Sequence, residues 1–153
     1  MKVKNLAFAV VAMGVASGVL AQVKPEDQIR YRQSVMNVMG RSFGALNAMA
    51  KGEAPYTKDA AARNAAIVEM MSGLPAPAFG AGTEKGAPTK ADPKIWKETA
   101  KFKQAAEAGQ KAVAGLADAS KSGDEAKFKA AFGEVGKACK SCHDDFRTKE
   151  FHN

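Results

Sequence analysis

The chain has 153 residues, enough for one domain with a real core and too few to expect two. Its 23 lysines and arginines outnumber 16 aspartates and glutamates, giving a formal charge of +7 that is spread along the chain rather than gathered in blocks. That pattern gives a nucleic-acid role little support and fits either a solvated surface or docking onto an acidic protein partner.

Lys2 and Lys4 precede an apolar run from Leu6 to Leu20 that closes in the small residues of "VLAQ". This is the pattern of a secretory signal peptide, residues 1–21, with cleavage expected after Ala21. The run is short and poor in large side chains for a membrane anchor, and no second apolar run follows. Residues 22–153 then read as a single exported domain with no membrane attachment of its own. Export implies an oxidising compartment, where two cysteines can pair.

Four segments carry a helical period, and no β-branched alternation lasts long enough to predict a strand. The first helix is expected from about Pro25 to Ala50, opened by "KPED" with proline and acids in its first turn. Its inward stripe is Ile29, Arg32, Met36, Met39, Phe43, Leu46 and Ala50, and one member is an arginine. After "KGEAPY" a second helix is expected from about Thr57 to Ser72, with Ile67, Met70, Met71 and then Leu74 as its apolar contact. A loop rich in glycine and proline follows, Gly73 to Pro93, long enough to suggest a functional role. The third helix opens at "DPK", with Asp92 as cap and Pro93 at the first helical position, and its stripe runs from Trp96 through Thr99, Phe102 and Val113 to Ser120. "KSGDEAK" makes a turn into a fourth helix, expected from about Asp124 to Glu150. Four amphipathic helices with mostly short connections predict an all-α fold, an antiparallel up-down four-helix bundle. The stripes are rich in Ala, Gly and Met, so the core is thin unless something else fills it.

The fourth stripe reads Phe128, Phe132, Val135, Cys139, Cys142, Phe146, which places both cysteines of the chain on the buried face, with His143 on its neighbouring side. A zinc site would need a third or fourth ligand, and only His152 remains to offer one. A thioredoxin-like redox pair sits on the first turn of a helix after a strand, whereas this pair lies well inside the last helix. Cys-x-x-Cys-His is the attachment signature of c-type haem: two thiols form thioethers with the vinyl groups and the adjacent imidazole coordinates iron. Attachment of that kind requires export, which the signal peptide supplies independently. The expected cofactor is therefore one covalent haem c, with Cys139 and Cys142 as attachment residues and His143 as the iron ligand. A haem-free helical interaction module is the remaining alternative.

A haem motif near the C-terminus, in a four-helix bundle, resembles the class II c-type cytochromes, the cytochrome c′ family. The resemblance extends over the mature chain through "KPEDQIRYRQSVM", "GLPAPAFGAGTEKG", "IWKETAKFK" and "FGEVGKACKSCHDDFR". It implies that Arg32 hydrogen-bonds a haem propionate with Gln33 beside it, a charge-assisted contact that explains an arginine in an apolar stripe. The alternative is an arginine that snorkels to solvent. It also implies that the long loop folds over the haem edge, with Thr89 and Lys90 touching the porphyrin substituents, and that Arg147 stands on the proximal side.

Met36 lies one turn beyond Arg32 on the same face. In low-spin members a methionine here is the sixth iron ligand and suits electron transfer; in high-spin members the position is apolar, and NO or CO binds at the open side. The resemblance leaves both outcomes open, and methionine is common enough in this chain to serve as core packing. No histidine precedes His143, and no Asp or Glu follows Asp27 on the first helix, so acid–base machinery for an enzyme is lacking there. The implied function is periplasmic electron transfer, with gas binding as the rival. The implied partners are a redox protein or a small gas, and a second copy of the chain in a homodimer across the outer side of the first two helices. Lys137, Lys140 and Lys149 surround the motif as a possible docking face for a redox partner.

Overall fold

The computed structural model describes residues 23–152; the expected signal peptide lies outside these residues. Helix α1 spans Pro25–Lys51, with Pro25 at its first position and Glu26 and Asp27 in its first turn, where acids meet the positive end of the helix dipole. It stops at Gly52, whose φ of 76° is left-handed and lets its N–H return to the carbonyls of Ala48 and Met49. Helix α2, Lys58–Ser72, is capped by the Thr57 hydroxyl accepting from the Ala60 N–H. Helix α4, Thr99–Ser122, ends at a second left-handed glycine, Gly123. Helix α5, Glu125–Phe146, starts on Asp124, whose carboxylate accepts from the Lys127 N–H at 3.0 Å.

These four helices form the expected up-down bundle: α1 packs on α2, α2 on α4 and α4 on α5, while α1 and α5 touch only sparingly. The main core gathers Leu46 and Met49 of α1, Val68 of α2, Val113 and Leu116 of α4 and Phe128 and Val135 of α5. Each fully buried aliphatic or aromatic side chain of this kind contributes roughly 1.5–3 kcal/mol. The second helix turns a different face inward than its large residues suggest. Ala61, Ala65 and Val68 are buried, whereas Met70 is 71% exposed and Leu74 is exposed as well. Small residues at i, i+4 and i+7 let α2 approach two neighbours closely, and that geometry outweighs burying its methionines.

Three expectations about the second half of the chain are corrected. The third helix is broken: a four-residue helix α3, Lys94–Lys97, is separated from α4 by Glu98, whose φ and ψ of −115° and 46° lie outside the helical region. Asp92 does cap this start, its Oδ1 accepting from the Lys94 N–H at 2.8 Å. The last helix stops at Phe146, four residues short of Glu150, because Arg147–His152 form a strand, β2, antiparallel to β1, Thr89–Ala91. The pairing is irregular, with Thr89 opposite His152 and Ala91 opposite Arg147. His152 places Nε2 2.8 Å from the Ala91 carbonyl oxygen, so that nitrogen carries the proton. The long loop is also less irregular than expected, since it holds a 3-10 turn at Ala76–Ala78 and the strand β1. Among the described residues no helix is long and apolar enough to cross a membrane.

Candidate functional site

Where α1 and α5 stand apart, a cavity of about 840 Å³ opens between them. Its walls come from every part of the fold: Arg32, Gln33 and Met36 of α1, Thr89 and Lys90 of β1, and Cys142, His143 and Phe146 of α5. Phe79, Ile95 and Phe102 add an apolar flank. The volume falls in the range of small-molecule and cofactor sites, about 300–1,000 Å³. The sequence-predicted site residues therefore meet at one place, with Cys139 alone set back from the wall, packed against the main core. Cys142 packs instead against a second cluster built on Ala91, Ile95 and Phe146.

Both cysteines are free and partly buried. Burial raises both thiols above their ordinary pKa, and the nearby Cys139 and Asp145 push Cys142 up further, so both are held as thiols. His143 is exposed on the wall of the cavity. The protein around its ring holds its pKa below the usual value, and Arg147 one turn on adds repulsion that outweighs the opposing pull of Asp144. A neutral imidazole is the form that ligates a metal. Among the described residues no group of three or more histidine, cysteine or acidic side chains is placed to hold a metal ion.

Arg32 is buried, at 3% exposure, and does not snorkel to solvent. Its Nη1 donates to the Ala78 carbonyl at 3.1 Å and to Thr83 Oγ1 at 3.0 Å; Nη2 donates to the Thr83 carbonyl at 2.8 Å and to Thr89 Oγ1 at 3.4 Å. The guanidinium also lies over the Phe79 ring, 4.3 Å from its centroid, with Trp96 at 5.7 Å. Burial lowers its pKa to about 10. None of the ion pairs among the described residues includes Arg32. Gln33, beside it, donates from Nε2 to the Pro88 carbonyl at 2.8 Å. The pair thus grips the long loop, a role the sequence did not suggest, since the partners lie 46 to 57 residues away. Thr83 and Phe79 were missed for the same reason; the one available signal was an arginine in an apolar stripe with no acid beside it.

Met36 is on the cavity wall and 39% exposed, unlike its buried neighbours Arg32 and Val35. Lys90 reaches across the mouth to Phe151, its Nζ 4.7 Å from the ring centroid. Of the three lysines around the motif, Lys137 pairs with Glu134 and Lys140 with Asp144. Exposed pairs of this kind hold loosely, and none of the ion pairs among the described residues includes Lys149.

The family model for cytochrome c′ matches residues 27–147. The chain belongs to the cytochrome c′ family. It is 49% identical to cytochrome c′ of Rubrivivax gelatinosus over 82% of this chain and 98% of that one, and the crystal structure of that protein superposes with a TM-score of 0.80. Cytochrome c′ from Alcaligenes xylosoxidans is 43% identical over 84% of this chain and 99% of that one, with a TM-score of 0.78. A variant of the latter has been solved as its nitric oxide complex, with a TM-score of 0.79. Cytochrome c′ of Pararhodospirillum photometricum is 37% identical over 80% of this chain. Cytochromes c′ carry one covalent haem c, and this chain has the Cys-x-x-Cys-His motif for it. The cavity fits that group. Two free thiols and a neutral imidazole stand at or beside an apolar cavity of cofactor size, whose opposite wall holds a cation that no carboxylate among the described residues balances.

Proposed function

We propose that this protein is an exported electron carrier of the periplasm, with residues 1–21 as its signal peptide and residues 22–153 as its mature domain. Cys139 and Cys142 would hold the haem through thioethers, and His143 would ligate its iron. A c-type haem supplies a one-electron iron couple that the polypeptide itself lacks. The protein's own residues then do four things. Phe79, Phe102 and Phe146 exclude water from the site. Arg32, Thr89 and Lys90 line the cavity; Arg32 would supply positive charge for the propionates of the bound group, and Thr89 and Lys90 would meet its edge. Met36, on the α1 wall opposite His143, is the proposed sixth ligand. The observation that carries this reading is that Met36 and His143, from helices that scarcely touch, line one cavity.

A second reading, uptake of NO or CO at the Met36 side, is favoured by the nitric oxide complex of the Alcaligenes xylosoxidans relative and by the partial exposure of Met36. An optical spectrum of the purified protein decides between the two. Low-spin ferric and ferrous states, with the weak long-wavelength sulfur-to-iron band, establish methionine ligation. High-spin states, with rapid gas binding, make gas binding the function. A spectrum with no haem absorbance would leave the helical interaction module as the only reading. The exposed Tyr31 and Val38 of α1 and Met70 of α2 are the proposed face of a homodimer.

A further inference from the structure

The guanidinium of Arg32 is more fully engaged with the loop between α2 and α3 than charge balance alone requires. Four hydrogen bonds from its two Nη nitrogens end on Ala78, Thr83 and Thr89, and none of these bonds uses Nε. Thr83 takes two of the four, one on its hydroxyl and one on its carbonyl, and is itself only 5% exposed. Its hydroxyl donates in turn to the Gly80 carbonyl at 2.8 Å, which also accepts from Trp96 Nε1 at 3.0 Å. Phe79, under the guanidinium, packs edge-on to Phe102 at 4.9 Å. Thr89, the last partner, begins β1 and so connects this cluster to the C-terminal strand.

We propose that Arg32 and Thr83 form a latch that positions the long loop, and with it Thr89 and Lys90, against the cavity; Thr83 is a positioning residue that acts through Arg32. The hydrogen bonds of the latch stand by themselves; that it sets Thr89 and Lys90 against a haem, and so bears on the potential, rests on the haem occupying this cavity. A charge balance needs only a cation, whereas a latch needs the planar fork: its two nitrogens, held a fixed distance apart, each reach one carbonyl and one hydroxyl, and the single ammonium of Lys, with three donors at one point, cannot serve all four acceptors. The latch therefore predicts that Arg32→Lys fails although it keeps the charge, and that Thr83→Val fails although it removes none.

The test uses the haem-loaded wild type, Thr83→Val, Arg32→Lys and the double variant. Amide exchange across residues 78–89 should rise roughly tenfold in each single variant, the effect expected from losing one or two hydrogen bonds of ordinary strength. The double variant should exchange no faster than the more severe single, because the bond between the Arg32 guanidinium and the Thr83 hydroxyl is lost in either. The reduction potential should fall in both singles, since a loosened loop admits water to the haem edge. Exchange at the wild-type rate, additive effects in the double variant, or a wild-type potential in Arg32→Lys would each overturn the latch and leave Arg32 as a counter-charge. Missing haem absorbance would defeat the haem reading alone, because exchange reports on the loop with or without a cofactor.

Discussion

Four side chains carry the proposed chemistry, and three variants test them. Replacing both Cys139 and Cys142 with alanine should give an exported chain whose mass is that of the bare polypeptide; retained covalent haem would remove these residues from the attachment role. Met36→Leu keeps the volume and removes the sulfur, so a change from low to high spin with faster CO binding is the expected result. An unchanged spectrum would make Met36 a steric lid. Arg32→Leu removes a buried cation from the cavity wall and should lower the reduction potential, because positive charge near iron favours its reduced form. At this scale the sequence is readable where chemistry is contiguous. Cys139, Cys142 and His143 declare themselves within five positions, and Arg32 stands out in an apolar stripe. Thr83 does not, since a threonine in a glycine-rich loop looks like any turn residue until the fold brings Arg32 to it.

Helix starts follow local rules and were legible. Proline and acids open α1, Thr57 caps α2 and Asp124 caps α5. The accepted Lys127 N–H holds the Asp124 carboxyl below its ordinary range, ahead of the nearby Lys127 charge. A carboxylate with a lowered folded-state pKa adds stability above its unfolded value, and that stability is lost as pH falls through the folded value. The melting temperature should therefore drop on acidification, and Asp124→Ala should lower it near neutral pH while flattening this part of the acid dependence. A thermal melt series across the carboxylate range checks both. The break at Glu98 carries no glycine or proline, and β2 exists only because β1 lies beside it, so neither follows from its own residues. Side-chain size points to the wrong inward face of α2, because the close approach that its alanines permit outweighs burial of its methionines.

For the whole molecule the thin core is the governing fact. Alanines fill much of the helix contact, and a cavity of about 840 Å³ lies open to one side, so the bundle without its cofactor lacks part of its interior. The Cys139→Ala, Cys142→Ala chain should unfold at lower denaturant, losing at least the roughly 3–5 kcal/mol that removal of one large aromatic from a core costs. Chemical denaturation of this variant beside the haem-loaded wild type measures that difference. On the opposite side, Val38→Glu with Met70→Glu should convert a dimer to a monomer in sedimentation without altering the optical spectrum, because both positions are exposed away from the cavity wall.

The two cysteines, three residues apart, pack against different hydrophobic clusters, Cys139 against the one that joins all four long helices and Cys142 against the one beneath the small sheet. A rigid macrocycle bonded to both sulfurs would act as a mechanical rivet between regions that are otherwise able to yield separately. Pulled from its ends, the haem-free chain should give way in two steps, the sheet and its cluster first. The riveted chain should resist until both clusters fail in a single rip.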